Sequence, residues 1–347
     1  MAQANTTGAF TRYLKPMKFK NIGIIVIGRN EGERLSACFE SMSDMECAKI
    51  YVDSGSTDNS LATAKSYGIE TLALTPDRPF SAARARNEGF SRLLQLDPNI
   101  SFVQFIDGDC TLLPGWLEAA SLALIAVPQR AAVIGHLLER NVTASAYNRL
   151  CALEWRSNPG DLTNFGALGG ISVMRADVFQ TLGGFNSNVI AGEDSELGVR
   201  MGLAGYKVTK LDHPMATHDA NMTQFSQWWK RTVRAGHAIG QRAFLNGNTA
   251  QRDCVRERDS TLFWGIGMPA AILLGFIPTQ GLSLLLLGGY VLLAYRVFKF
   301  RIKLGDNFED AWFYTKYLLL GKFANALGLI KFYINKLSER YEIIEYK

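Results

Sequence analysis

Short apolar runs alternate with segments of helical periodicity through the first two thirds of the chain. Each apolar run is followed by a polar loop, and behind the first loop apolar residues recur at helical spacing over residues 35–42. This alternation predicts βαβ units, and therefore an α/β fold class with a Rossmann-like, mostly parallel sheet. Four of the runs have the length of a buried strand: residues 22–28, 49–52, 70–74 and 102–106.

The pattern continues into the second half of the chain. Residues 132–138 and 206–211 predict two further strands, and the second is followed by a predicted loop that contains His213 and His218. Residues 223–244 predict a helix on which aromatic side chains stand beside basic ones. Such a face suits a phosphate or a sugar ring, and packing onto the domain is the alternative interpretation.

The last third of the chain is more apolar. Residues 262–277 and 282–295 are uncharged apolar segments joined by the turn 278–281. Both are shorter than the ~20 residues of a straight span, so core helices are one interpretation. The uncharged joint and the basic outer flanks favour a transmembrane or re-entrant hairpin over residues 260–300. Residues 308–347 mix apolar residues with lysines, which predicts an amphipathic helix and tail on an anionic membrane surface, or a third span.

Composition narrows the function classes. The 347 residues are 48% apolar and 20% charged, which excludes a disordered chain. The net charge of +5 comes without a long basic block in the first half, so a nucleic-acid partner is not expected. Five cysteines without metal-ligand spacing suit a reducing compartment. Because no apolar signal segment precedes Asn21, we expect the folded domain to be cytoplasmic, at the inner face of the cell membrane.

The first candidate for chemistry is Asp107-Gly108-Asp109, directly after the apolar run 102–106. Ligands of open α/β sheets bind outside the carboxyl ends of the strands, and hard divalent cations take carboxylate and phosphate oxygens together. The position therefore predicts a metal-diphosphate site. A polar turn is the alternative, because Asp-Gly is a common turn dipeptide.

Further acidic residues stand at the ends of predicted elements. Asp53 follows the second strand, and Glu193, Asp194 and Glu196 open the helix that continues to residue 203. Acidic residues in the first turn of a helix are favoured by the helix dipole. That explanation accounts for one acid more easily than for three, so a functional role for Glu193 and Asp194 is the preferred interpretation.

Taken in order, these motifs resemble glycosyltransferase family 2, whose members are inverting sugar transferases with the GT-A fold. The resemblance covers residues 21–240 and depends on the order of the motifs, because each motif alone is weak. Arg29-Asn30-Glu31 is similar to the family's first nucleotide loop, and residues 53–58 are similar to its uridine-contacting segment. Residues 85–89 resemble the donor helix, and Asp107-Gly108-Asp109 resembles the metal motif. Gly192-Glu193-Asp194 resembles the segment with the catalytic base, and His218 stands where the family has a further metal or diphosphate ligand.

The resemblance implies a role for each matching residue. Asp194 would take the proton from the acceptor hydroxyl, with Glu193 as the second candidate. Asp109, Asp107 and His218 would hold a divalent metal, Mn²⁺ or Mg²⁺, that stabilises the leaving diphosphate. The donor, expected to be a UDP-sugar, would contact a set of charged side chains: Arg29, Glu31, Asp53, Arg86, Asp107, Lys230, Arg231 and Arg234.

One departure from the family pattern bears on processivity. Polymer-making relatives carry Gln-x-x-Arg-Trp in the helix that follows, whereas this chain has Gln224-Phe225-Ser226-Gln227-Trp228, with Gln227 at the arginine position. The difference favours transfer of a single sugar. Lys230, Arg231 or Arg234 can supply the missing charge, so both outcomes stay open.

The expected function is therefore transfer of a sugar from a nucleotide donor to a lipid-linked or membrane-delivered glycan. The expected organisation is an N-terminal extension (1–20), a GT-A domain (21–250), a membrane hairpin (260–300) and a surface helix with its tail (308–347). Two alternatives remain: a membrane-anchored nucleotide-sugar binding protein without turnover, and a sugar-phosphate nucleotidyltransferase. The second would require a Gly-rich basic loop where Arg29-Asn30-Glu31 stands.

Overall fold

The structure is a computed structural model, and it describes residues 17–338. Most of the predicted N-terminal extension and the end of the predicted tail lie outside these residues. Within them, nine strands form one sheet in the order β3-β2-β1-β4-β8-β6-β9-β5, with β7 paired to β9. The strands are β1 (Met17–Gly28), β2 (Met45–Asp53), β3 (Glu70–Ala73), β4 (Phe102–Asp107), β5 (Cys110–Leu112), β6 (Arg130–Glu139), β7 (Gly160–Asp161), β8 (Ser172–Arg175) and β9 (Lys207–His218).

Helices connect the strands and continue beyond the sheet. The helices are α1 (Glu33–Glu40), α2 (Ser60–Ser66), α3 (Ala82–Leu96), α4 (Trp116–Ala126), α5 (Ala146–Glu154), α6 (Ala176–Thr181), α7 (Glu193–Leu203), α8 (Phe225–Asn246), α9 (Val255–Leu262), α10 (Met268–Gly275), α11 (Leu287–Lys303) and α12 (Phe308–Ser338).

The four strands β3-β2-β1-β4 are parallel and form the core predicted from the apolar runs. Ile25 on β1 and Phe105 on β4 are fully buried register partners. Helix α3 packs closely over β1 and β2 because Gly89 leaves room: a Cβ there would lie 2.8 Å from side-chain atoms of Ile25 and Val52. The α/β fold class with its βαβ units is therefore confirmed.

The other half of the sheet is mixed. Strand β8 is antiparallel to β4 and β6, whereas β6 and β9 are parallel. The prediction of a loop around His213 and His218 is wrong, because β9 continues through both residues. Its second part pairs with β5, so that His218 faces Cys110, the residue directly after Asp109. An irregular order of apolar and polar residues, interrupted by Pro214, concealed the second part of this strand in the sequence.

Helix α12 lies along α8 in parallel orientation. The two backbones touch at glycines: a Cβ at Gly328 would lie 1.9 Å from the carbonyl O of Val233, and one at Gly236 would lie 2.1 Å from that of Asn325. At the far end, the Phe332 ring packs edge-on against His237 at 5.4 Å. One face of α12 is thus part of the folded domain.

A helical hairpin precedes α12. Helices α9 and α10 are joined by one π-helical segment (Phe263–Gly267), and the Ser283 hydroxyl donates to the carbonyl O of Ile272 across the turn at 2.8 Å. Within residues 17–338, two helices are long and apolar enough to cross a membrane: Leu282–Lys303 and Phe308–Ser338. In an apolar window of 18 residues, 11% of the first helix and 33% of the second are buried. The first coincides with the second arm of the predicted hairpin, and the second with the predicted amphipathic helix.

Candidate active site

A cleft of about 1190 Å³ lies between the carboxyl ends of β1 and β4 on one side and α8 on the other. It is lined by most of the residues singled out from the sequence, which come from the first βα loop, α3, the end of β4, α7 and α8: Arg29, Glu31, Arg86, Asp107, Asp109, Glu193, Asp194, Arg231 and Arg234. Two acidic motifs that are 85 residues apart, at Asp109 and Asp194, therefore face one space.

Arg86 connects the two acidic motifs. Its Nη2 donates to Asp107 Oδ1 at 2.8 Å, and its Nη1 donates to Glu193 Oε1 at 2.6 Å. The guanidinium is buried. Burial alone would lower the pKa of Arg86, but the negative charges of Asp107, Glu193 and Asp194 raise it above its ordinary value. Arg86 is thus a fixed positive charge between the end of β4 and the start of α7.

Gly170 leaves room for the ion pair between Arg86 and Asp107. A Cβ at Gly170 would lie 2.5 Å from Arg86 Nη2 and 3.6 Å from Asp107 Oδ2. The absence of a side chain at Gly170 lets the chain pass over the guanidinium. Any side chain at Gly170 would displace Arg86 from Asp107.

The buried Asp109 carboxylate lies beside His218. Its Oδ2 is 3.5 Å from His218 Nε2, and ligand atoms of Asp109, Cys110 and His218 lie within 4.8 Å of one another. Burial, together with the charges of Asp109 and Asp107, raises the pKa of the Cys110 thiol well above its usual range. Because only the thiolate is a good ligand, Cys110 stays a neutral core residue and the donors that remain are carboxylate oxygens and an imidazole. That set fits Mn²⁺ or Mg²⁺ beside a phosphate.

A second carboxylate stands behind the imidazole. Glu139 ends β6 opposite His218 in the parallel register, and its Oε2 is 3.7 Å from His218 Nδ1. Its other contacts hold it in place: Oε1 accepts from Asn148 Nδ2 at 3.0 Å, and Oε2 accepts from the backbone N–H of Ala220 at 3.1 Å. A carboxylate beside the ring nitrogen that does not bind the metal orients a ligating histidine. Glu139 was not predicted from the sequence, where its only signal is an acid at the end of an apolar run.

The three acids that open α7 have different partners. Glu193 is held by Arg86, and Glu196 forms a two-oxygen pair with Arg200 at 2.8–3.0 Å. Burial raises the pKa of Glu193, the charge of Arg86 opposes the rise, and Asp194 adds to it. Asp194 lines the cleft, and its Oδ1 accepts from the backbone N–H of Ser195 at 2.6 Å. Of these acids, Asp194 is thus the one most open to a substrate.

The loops after β1 and β2 are tied to each other. Asn30 Oδ1 accepts from the backbone N–H of Thr57 at 2.7 Å, and Asp58 Oδ2 accepts from that of Gly32 at 3.2 Å. Asp53, by contrast, is buried in its own turn and is not among the described residues that line the cleft. Its Oδ2 accepts from the backbone N–H groups of Gly55 and Ser56, and its Oδ1 from the Tyr51 hydroxyl at 3.0 Å.

Helix α8 presents only part of its basic face to the cleft. Arg231 and Arg234, three residues apart, line it, whereas Lys230 is exposed and does not. Gln227, the residue at the arginine position of the family pattern, lines the cleft and also caps the helix: its Oε1 accepts from the backbone N–H groups of Thr223 and Gln224. A further cation that the sequence analysis missed is Arg242, held by Asp253 through two bonds of 2.6 and 3.0 Å.

Comparison with known proteins agrees with this architecture. The family model "Glycosyl transferase family 2" matches residues 23–183, and a second model, "N-terminal domain of galactosyltransferase", matches residues 160–225. Together the two matches span the loops and strands that carry the acidic motifs. The resemblance to glycosyltransferase family 2 is therefore confirmed.

Two curated relatives are similar in sequence. The O-antigen chain rhamnosyltransferase WbaN of Salmonella anatum is 26% identical over 53% of this chain, and the succinoglycan biosynthesis protein ExoA of Rhizobium meliloti is 25% identical over 54%. In both, the match spans 60% of the relative's own length.

A solved structure is similar in fold. The mannosyltransferase PcManGT from Pyrobaculum calidifontis, solved in complex with GDP-Man and Mn²⁺, aligns with 92% of this chain and 88% of its own at a TM-score of 0.55. The two sequences are 14% identical, so the likeness concerns the fold alone. The GT-A fold predicted from the motifs is confirmed.

Proposed function

We propose that this family 2 domain transfers a sugar, with inversion, from a nucleotide diphosphate sugar to a hydroxyl of a lipid-linked or membrane-delivered glycan. The observation that carries the proposal is the cleft in which Asp107, Asp109 and Asp194 converge around Arg86. Both curated relatives are named for the synthesis of bacterial polysaccharides. PcManGT, whose fold is similar, was solved in complex with the nucleotide sugar GDP-Man and Mn²⁺.

The donor would lie over the carboxyl ends of β1 and β4. Asp109 and His218, with Asp107 beside them, would hold a divalent cation, which neutralises charge on the leaving diphosphate when bound. Arg231 and Arg234 face the same space and would bind phosphate oxygens. Arg29 and Glu31 would contact the nucleotide from the first loop. Asp53 would contribute chiefly by fixing the loop that meets the base, because its own oxygens are already used.

The acceptor hydroxyl would approach Asp194. Inversion needs one base to take the hydroxyl proton while the diphosphate leaves from the opposite face, and such a base gives about 10²- to 10⁴-fold in rate. Asp194 suits this role better than Glu193, because Glu193 is engaged by Arg86 at 2.6 Å. We assign Lys230 no contact with the donor, since it lies outside the cleft.

We also propose that the hairpin enters the cytoplasmic face of the membrane and that α12 stays at its surface. The hairpin exposes large apolar side chains, among them Leu274 at 79%, Ile277 at 86% and Leu285 at 77%. A soluble surface rarely exposes so large an apolar patch. We propose the division into a domain (21–250), a hairpin (260–300) and a surface helix with its tail (308–347). In this organisation the surface helix is packed on the domain, because α12 contacts α8 at glycines.

A screen of nucleotide sugars tests the proposed activity. Purified full-length protein is given UDP-, GDP- and dTDP-sugars with Mn²⁺, Mg²⁺ or a chelator, and release of the nucleotide is measured. We expect release with one donor class and its loss with the chelator. Tight donor binding without release or transfer would instead support a binding protein, and formation of a nucleotide sugar from a sugar phosphate would support a nucleotidyltransferase.

Membrane attachment has a separate test. The changes Leu274→Asp and Ile277→Asp at the hairpin should prevent flotation of the protein with anionic vesicles and should leave release of the nucleotide unchanged. Truncation after Gly247 is a poorer test, because it would remove the cover that α12 gives to α8. Flotation of the double variant equal to that of the unmodified protein would contradict the proposed hairpin insertion.

A further inference from the structure

A second pocket, of about 370 Å³, lies beside the cleft between the domain and the C-terminal helices. Helices α5 and α8 form one side, and α9 and α12 form the other. Its wall combines three aromatic side chains with two basic ones: Trp228, Tyr314, Tyr317, Arg256 and Lys322. Its volume is at the lower end of the range for small-molecule sites.

The pocket adjoins the cleft. Glu154, Thr232, Ile239 and Asn325 line both. A ligand in the pocket would therefore lie next to the space that Asp194 and Arg234 line. The pocket is made by α5 and α8 together with helices that follow residue 250, and Trp228 is the residue of the family pattern in its wall. Among the described residues, those predicted to bind the donor do not line it.

The charges in the pocket favour an anion. The Lys322 ammonium donates to the Ser260 hydroxyl at 3.0 Å, and over residues 17–338 neither Lys322 nor Arg256 has a carboxylate within ion-pair distance. Of the two acids in the wall, Glu154 is paired with Arg231 at 2.7 Å. Glu257 is exposed, as Arg256 is, and its charge acts on Lys322 from beyond ion-pair distance. Two cations that no carboxylate contacts directly, with the Ser260 hydroxyl beside Lys322, are a set that suits phosphate oxygens.

The position of the pocket favours the phosphate of a lipid-linked glycan as its ligand. Helix α9 lines the pocket and leads directly into the hairpin, where Leu262 and Phe263 are exposed. The pocket thus lies between the catalytic cleft and the apolar surface. In a lipid-linked glycan, the phosphate likewise lies between the lipid and the sugars. A free nucleotide or a soluble glycan has no lipid that would place it beside the apolar surface of the hairpin.

We infer that this pocket binds the phosphate or diphosphate group of a lipid-linked acceptor, through Lys322 and Arg256. The inference rests on the proposed transfer to such an acceptor. The aromatic side chains would pack on the first part of the lipid or on the sugar next to the phosphate. Binding here would present the glycan to Asp194 and keep the lipid at the hairpin.

Calorimetry on the full-length protein in detergent tests the inference with short soluble probes: farnesyl diphosphate, farnesol and inorganic diphosphate. We expect farnesyl diphosphate to bind without being displaced by UDP or GDP. Lys322→Gln and Arg256→Gln should each weaken its binding about tenfold, as for loss of one charge-assisted hydrogen bond. Lys331→Gln, a matched change at an exposed site on α12, should have no effect.

Several results would overturn the inference. Equal affinity for farnesol would mean that the pocket binds the lipid and not the phosphate, and equal affinity for inorganic diphosphate would mean that it binds a free anion. Displacement by UDP would place the probe in the donor cleft. Unchanged affinity in both Lys322→Gln and Arg256→Gln would exclude these cations. If the probe binds through Lys322 but the protein transfers no sugar, the proposed function is wrong, and the inference that the pocket binds a lipid-linked phosphate is kept.

Discussion

His218 Nε2 lies 3.5 Å from the Asp109 carboxylate although 109 residues separate the two along the chain. Strand β5 brings them together, because Cys110 pairs with His218 in the antiparallel ladder. We therefore expect Asp109→Ala and His218→Ala to weaken Mn²⁺-dependent donor binding. Calorimetric titration of the donor with and without Mn²⁺ measures this. Metal-independent binding of equal strength in the unmodified protein would contradict the assignment.

Arg86→Met should lower both stability and donor affinity. The change leaves Glu193 buried without its partner, and loss of one member of a buried ion pair costs about 3–5 kcal/mol. Adding Glu193→Gln should restore part of the stability, because the uncompensated charge is then gone. Chemical denaturation measures the stability of each variant, and calorimetric titration measures its donor affinity.

Arg84→Met is the matched control for that experiment. Arg84 is also buried on α3, but its guanidinium donates to Glu88 and to the carbonyl oxygens of Thr75 and Arg78, which lie outside the cleft. It should destabilise the protein without a specific loss of donor affinity. Equal loss of affinity in the two variants would mean that Arg86 acts only through the fold.

His237 should make the stability of the domain depend on pH. Burial, with a smaller effect of Lys331, lowers the pKa of His237 to about 4, and neither of its buried ring nitrogens has a hydrogen-bond partner among the described residues. The unfolded chain binds a proton near pH 6.5, so stability should fall between pH 6.5 and 4, by about 3 kcal/mol in all. His237→Leu should remove this part of the pH dependence, as measured by denaturation at each pH. If His237→Leu left the slope of the unfolding free energy against pH unchanged, the role of His237 in this pH dependence would be contradicted.

The docking of α12 on α8 predicts a contrast between two glycines of the same helix. Gly328→Ala should destabilise the protein by about 1–3 kcal/mol or more, because the new Cβ would lie 1.9 Å from the carbonyl O of Val233. Gly321→Ala should be neutral or stabilising, since its nearest neighbour, Thr232 Cγ2, is 3.6 Å away. Thermal unfolding compares them. Similar melting temperatures would indicate that α12 does not pack on α8.

Local patterns in the sequence predicted the parallel half of the sheet and the acids at its edge. The runs that became β1 and β4 are apolar almost throughout, and Asp107 and Asp109 follow one of them directly. Both signals lie within ten residues of chain. The same local information placed Glu193 and Asp194 at the start of α7.

Non-local pairing determined what the sequence did not show. Glu139 faces His218 only through the register of β6 and β9. The second part of β9, after residue 211, gave no clear strand period in the sequence. The contact of Asp53 with the donor stays a prediction. The bonds that its oxygens accept from Tyr51, Gly55 and Ser56 are not revealed by the motif. The close approach of α12 to α8 depends on Gly236 and Gly328, 92 residues apart.

The central claim is that Asp194 takes the proton of the acceptor hydroxyl in a cleft that binds the donor through other residues. The most direct test is the transfer rate and the donor affinity of Asp194→Asn, measured on the same preparation with the donor and metal found in the screen. We expect the rate to fall by about 10²- to 10⁴-fold or more and the donor dissociation constant to stay within about twofold. A transfer rate near that of the unmodified protein, or an equal loss of donor binding, would contradict the claim.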